Sequence, residues 1–323
     1  MYYLKSFRHK KGVNNILNNF LNFPAAGFSG ELAALSAACL WAVASIIYGR
    51  LGQNIPPLQL NLTKGIIAIA LLILTILLRG EFLTAVAPLA VCLLLVSGAI
   101  GIAFGDTVYF AAINTLGARR VLLIKTLTPT MTALGAMIFL QENLNAGAWC
   151  GVLLTILGVA LVVTERVPVA SDDAATHLWR GVGFSLLAGV AEAAGAILSR
   201  AALATTTISP LWAALLRLIG GTLILLPWLL LTQRRGTTVL LPSLSPKVLA
   251  VTFFASFIGT YLGIWLQQTA IKFTSVAIAS TLIQTSPLFV LPLAAWMGDK
   301  VSWRAVLGVV IAVCGVAVLF YLR

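Results

Sequence analysis

The feature that most limits how this chain can fold is an internal repeat of membrane-length apolar segments: five of them, then five more carrying the same Gly and Pro landmarks. Ile100, Gly101, Gly105, Ala112, Ile113 and Pro129 recur 158 positions later as Ile258, Gly259, Gly263, Ala270, Ile271 and Pro287. After a slip of one residue the register continues through Glu142/Asp299, Gly151/Gly308 and Gly158/Gly315. An odd number of crossings per copy forces the second copy to enter the membrane from the opposite side. The pattern therefore predicts an all-α integral membrane protein of ten transmembrane helices, built as two inverted five-helix repeats about an axis in the membrane plane.

Of the 323 residues 60% are hydrophobic and 9% charged, far below the charge a water-soluble domain carries, so lipid is the expected solvent. A crossing needs about 20 apolar residues. The spans fall at 30–49, 57–78, 87–113, 120–140, 146–164, 181–202, 210–231, 248–271, 275–297 and 303–321. This gives a first repeat over 30–164, a linker over 165–180 and a second repeat over 181–323. Connections are short, which leaves no room for a soluble catalytic or nucleic-acid-binding domain.

The net charge of +12 sits mainly at segment ends, where Lys and Arg meet lipid headgroups, and so does not point to nucleic acid. Cys39, Cys92, Cys150 and Cys314 fall singly on four spans and read as packing residues, while His9 and His177 lie outside the spans. No metal or cofactor motif and no nucleophile–base pair results, so an enzyme is not expected. Residues 1–29 have no counterpart in the second repeat. Lys5, Arg8, Lys10 and Lys11 precede apolar residues at helical spacing with five Asn opposite, which suits an interfacial helix on anionic headgroups or a disordered tail, but not a cleavable signal.

Each repeat carries Gly-x-x-x-Gly on its third span, Gly101/Gly105 and Gly259/Gly263, a spacing that lets helix backbones approach closely in lipid. Each fourth span contains a proline, Pro129 in LIKTLTPT and Pro287 in LIQTSPLF. Proline removes a backbone hydrogen bond and displaces the carbonyl four residues back, here Lys125 and Ile283, so both helices should bend. Thr126, Thr128, Gln284, Thr285 and Ser286 stand ready to satisfy the freed groups. The bends are either hinges that line a wet interior or passive kinks.

Lys64, Asp106, Lys125, Glu192, Arg217 and Lys272 lie within spans or at their edges. A charge at the helix centre costs about 2.5–3.5 kcal/mol on insertion scales, which places such residues against the bundle interior or a water-filled path. Lys64 and Arg217 each follow, by seven residues, a proline that opens the second span of its repeat. They either hold an anionic group or reach back to the headgroups. Lys272, at the end of its span, should snorkel. Glu192 is too short to reach either surface and needs a partner or a proton; it is either a titrating coupling acid or a structural hydrogen-bonded carboxyl. Asp106, directly after Gly105, suits the cap of a helix break.

Two five-helix repeats, Trp41 in CLWAVAS, a basic residue in the second span, and LIKTLTPTMTALGAMIFLQENLNAGAWCGVLLTILGVALV resemble the EamA-type branch of the drug/metabolite transporter superfamily. The second half, LIQTSPLFVLPLAAWMGDKVSWRAVLGVVIAVCGVAVL, departs from the pattern with Asp299 for Glu and Ala191 where the first half has Trp41. The resemblance implies alternating access through a central cavity lined by spans one to four and six to nine, with spans five and ten peripheral. It places Trp41, Lys64, Asp106, Lys125, Glu192, Arg217 and Gln284 on cavity-forming spans.

The function this implies is secondary transport, with export of small polar metabolites such as amino acids or related organic ions and protons as a coupling ion. One alternative is efflux of lipophilic or quaternary cations, with Glu192 among Trp212, Tyr261 and Trp265. Another is a sensor or scaffold that does not transport. Cations divide eight against ten between the two sides, which gives no bias. The basic start preceding the first span, together with the resemblance, places both termini in the cytoplasm and the chain in the inner membrane. No oligomeric state follows.

Overall fold

The computed structural model describes residues 28–52, 55–81, 87–116, 118–164, 175–234, 246–296 and 303–321. Residues 1–27, Asp299 and most of the expected linker lie outside them. Among the described residues all regular structure is helical. In chain order the helices are α1 (Ser29–Leu51), α2 (Pro57–Arg79), α3 (88–116), α4 (Ala118–Lys125 and Thr128–Phe139) and α5 (Ala146–Thr164). They continue as α6 (Ala175–Ala204), α7 (Pro210–Arg234), α8 (246–273), α9 (Val276–Ile283 and Ser286–Trp296) and α10 (Trp303–Tyr321).

The boundaries follow from local chemistry. Pro57, Pro88, Pro210 and Pro246 open their helices, where a missing N–H costs nothing and the fixed φ suits the first turn. Gly80 ends α2 at φ 64°, a left-handed conformation that glycine adopts freely. Among the described residues seven helices are long and apolar enough to cross a membrane, against the ten expected: α1, α2, α3, α6, α7, α8 and α10. In α4 the break before Pro129 leaves Thr128–Phe139 as the longer apolar piece, and in α9 the apolar stretch described runs over Val276–Val290. The apolar stretch described in α5 runs over Ala146–Val162.

Within α3 the residues Ala99–Gly105 form a π-helical stretch, and Ser256–Leu262 form one within α8. The two lie within a residue of the same repeat register. A π turn widens the hydrogen-bond ladder, and side chains from neighbouring helices bond its carbonyls. Asn61 Nδ2 donates to the Ile102 carbonyl at 3.2 Å, and Trp41 Nε1 donates to that of Gly259 at 2.6 Å.

The packing is exchanged between the halves: α3 lies along α6, and α8 lies along α1. At the closest approach of α3 and α6, Gly101 faces Gly195 and Gly105 faces Ala191. On the other side Gly259 faces Ala44, and the indole of Trp41 covers Gly263. Contacts of α2 with α7, α4 with α9 and α5 with α10 also join equivalent helices of the two halves. Directions are fixed by contacts at the end of α8. Glu31, near the start of α1, accepts from Thr274 Oγ1 at 2.9 Å, while Arg200, near the finish of α6, donates to the carbonyls of Ile271 and Lys272. The start of α1 and the finish of α6 thus meet at one end of the bundle, so these equivalent helices run in opposite directions.

Candidate functional site

Two ion pairs lie inside the bundle. Lys64 Nζ on α2 donates to Asp106 Oδ2 on α3 at 2.8 Å, and Lys125 Nζ on α4 lies 2.6 Å from Glu192 Oε2 on α6. Asp106 is the first residue after the π stretch of α3, and Lys125 is the last before the break of α4. Both charges therefore sit where the backbone ladder is interrupted. Tyr109, one turn beyond Asp106, places its ring centre 4.6 Å from Lys125 Nζ. Lys64 Nζ lies 5.8 and 5.7 Å from the rings of Tyr48 and Phe110, within cation–π range.

Two cations and two acids thus alternate across α2, α3, α4 and α6, with aromatic rings around them. None of the four is sealed off: the side chains keep 13% (Lys64), 35% (Asp106), 17% (Lys125) and 23% (Glu192) of their surface accessible. Lys64 does not run back to the headgroups, as its length would allow. The acid on α3 holds it inward.

Arg217 also turns inward and is 3% exposed. Its Nη1 donates to Gln267 Oε1 at 3.1 Å and to Gln268 Oε1 at 3.2 Å, both on α8. Lys272 does not snorkel but donates to the Ile208 carbonyl between α6 and α7. Carbonyls left over at helix ends bind a nearby ammonium in place of lipid phosphate.

The breaks in α4 and α9 face each other. Gln284, within the break of α9, donates from Nε2 to the Lys125 carbonyl at 3.1 Å, the group displaced by Pro129. Ser286 Oγ donates to the Ala38 carbonyl at 2.7 Å, and Thr132 and Ser280 hydroxyls lie 3.3 Å apart across the pair. Pro129 is buried and Pro287 partly so.

At the end where α1 starts, a polar clasp joins both halves. Arg200 Nε donates to Glu142 Oε1 at 2.5 Å, and Glu142 Oε2 accepts the Val276 N–H at 3.1 Å. Arg79 Nε lies 2.6 Å from Glu81 Oε1, whose other oxygen accepts from Ser209. Trp212 Nε1 donates to the Glu81 carbonyl, Trp265 stacks on Arg79, and Tyr261 bonds to Thr75. The three aromatics expected around Glu192 are thus gathered at this end instead.

Cys39, Cys92, Cys150 and Cys314 are exposed rather than packed, since a helix apolar on every face gives no sign of which side meets lipid. Sequence reasoning did not single out Tyr109, Arg200, Gln267 or Gln268. The two glutamines are visible as amides in an apolar span, and Tyr109 shares a helix face with Asp106 at i, i+3.

A bundle of long apolar helices with ion pairs in its interior is a multi-pass integral membrane protein. Residues 28–164 and 179–321 each match the family described as EamA-like transporters. The chain belongs to the EamA-like transporter family and is a membrane transporter, not an enzyme. It shares its fold with a solved crystal structure at 18% identity and a TM-score of 0.74, over 92% of this chain and 99% of that one. Among curated proteins none matches.

Proposed function

We propose that the protein is a secondary transporter that exports small organic ions carrying both charges, with amino acids as the reference class. The observation that carries this reading is the alternation of two lysines and two acids contributed by both repeats, each still accessible. Charges this costly in lipid border water, which makes the space beside them an aqueous cavity. An ammonium and a carboxylate on one molecule exchange with the two internal pairs without leaving a charge unmatched. A lone lipophilic cation would have to expel a lysine from its acid, which disfavours cation efflux.

Ten crossings in two inverted repeats are supported by the opposite directions of α1 and α6 and by the exchanged packing of α3 and α8. Both termini belong in the cytoplasm of a cell bounded by the inner membrane. The clasp at Glu142 and Arg200 is then the cytoplasmic gate, and Pro129 and Pro287 mark the hinges of alternating access. Glu192 is the acid that couples substrate movement to protons.

Uptake of a radiolabelled mixture of the protein amino acids into proteoliposomes tests the reading. Competition by amino acids, with weak competition by simple quaternary amines, is the expected result. Competition by quaternary amines alone would transfer the site to cation efflux, and failure of every solute to accumulate would favour a sensor or scaffold.

A further inference from the structure

We infer that Arg217, with Gln267 and Gln268, forms a second anion-binding station, which takes the substrate's carboxylate when the transporter opens at the end now held by Glu142 and Arg200. This rests on the transport reading above. Arg217 holds in the second repeat the place of Lys64 in the first, seven residues after the proline that opens its helix. Gln267 and Gln268 fall 158 positions after Tyr109 and Phe110. All three are therefore counterparts of residues around the accessible ion pairs.

The chemistry differs in one respect. Lys64 and Lys125 each have an acid within 2.8 Å, whereas no ion pair among the described residues includes Arg217, whose hydrogen-bond acceptors are neutral amide oxygens. Arg217 Nε and Gln268 Nε2 are buried donors with no acceptor, and Gln268 is fully buried. Unmet buried donors beside an unpaired guanidinium are costly, and natural proteins rarely retain them without a use. What would satisfy them is an anion with two acceptor oxygens. A carboxylate fits the planar fork of arginine in two parallel hydrogen bonds.

The guanidinium also lies at the α3–α6 crossing, where a Cβ added to Gly101 would come within 2.9 Å of Nη2. A relative movement of these helices therefore changes what surrounds it. The acids that act on it over distance are Asp106 and Glu192, the partners of the two lysines. The second station thus adjoins the first electrostatically.

The test uses the full-length protein in proteoliposomes with the radiolabelled amino-acid mixture, and amino-acid amides as competitors. Absence of uptake by the wild type would sink the transport reading itself. Once uptake is established, Gln268→Glu places a carboxylate where an amide oxygen already lies 3.2 Å from Arg217 Nη1. The expected result is a higher thermal midpoint with uptake reduced about tenfold, because an internal acid occupies the station. Greater stability with wild-type uptake would make Arg217 a structural residue and overturn the inference. Should that variant not fold, Arg217→Lys decides: the preference for amino acids over their amides should fall by about fivefold. An unchanged preference would equally overturn it.

Discussion

Lys125 and Glu192 meet at 2.6 Å across the boundary between the repeats, and the lysine sits at the last residue before its helix breaks. One contact therefore ties the charge state of α6 to the geometry of α4. Glu192→Gln keeps the shape of the side chain but leaves an uncompensated lysine. Breaking one member of a buried pair costs about 3–5 kcal/mol, and partial exposure brings the figure here to about 2. We expect the variant to fold, to lose about 2 kcal/mol and to transport without the wild-type pH dependence. An unaltered pH profile would make the residue structural.

The Lys64–Asp106 pair has its own signature in a double-mutant cycle. Lys64→Met and Asp106→Asn should each lower the thermal midpoint, and the double variant should recover about 1 kcal/mol relative to their sum. Strict additivity would mean that the 2.8 Å contact contributes nothing.

Gln284 and Pro129 serve the same carbonyl, one by donating to it and the other by depriving it of a helical partner. In the wild-type background Gln284→Leu should cost about 1 kcal/mol. In a Pro129→Ala background a backbone N–H again reaches the Lys125 carbonyl, so the cost should largely disappear. Pro129→Ala and Pro287→Ala should also slow transport while leaving folding intact. Wild-type turnover in both would reduce the prolines to passive kinks.

The Glu142–Arg200 clasp predicts a change in sidedness. Glu142→Gln removes a charge-assisted bond worth about 1.5–3 kcal/mol. A cysteine introduced at Ser280 should then react faster with a membrane-impermeant reagent applied from the cytoplasmic face. No difference in labelling between the variant and its parent would remove the clasp from the gate.

The overall plan was legible in the sequence because it is written in features that survive without side-chain geometry: apolar length, the offset of Gly and Pro, and charges inside segments. The expected break before Pro129 is present as a gap between Lys125 and Thr128, since the loss of an N–H is a local event. What was not legible depends on partners distant in sequence. Glu192 showed that it needed a partner, but nothing near it pointed to Lys125. Trp41 showed its place in a motif, but not that its indole bonds to Gly259 in a π stretch 218 residues away. The outward direction of Cys39 and the inward turn of Arg217 likewise follow from how helices face one another, which an all-apolar periodicity does not encode.

The exchange of α3 and α8 between the halves has a consequence for how the protein is made. During synthesis the first five helices enter the membrane with Gly101 and Gly105 exposed, because the surface that covers them, around Ala191 and Gly195, has not been translated. Trp41 waits in the same way for Gly259 and Gly263. Neither half completes its own packing without the other. A chain truncated after α5 should therefore not form a stable half-transporter, because the surface that covers Gly101 and Gly105 lies on α6.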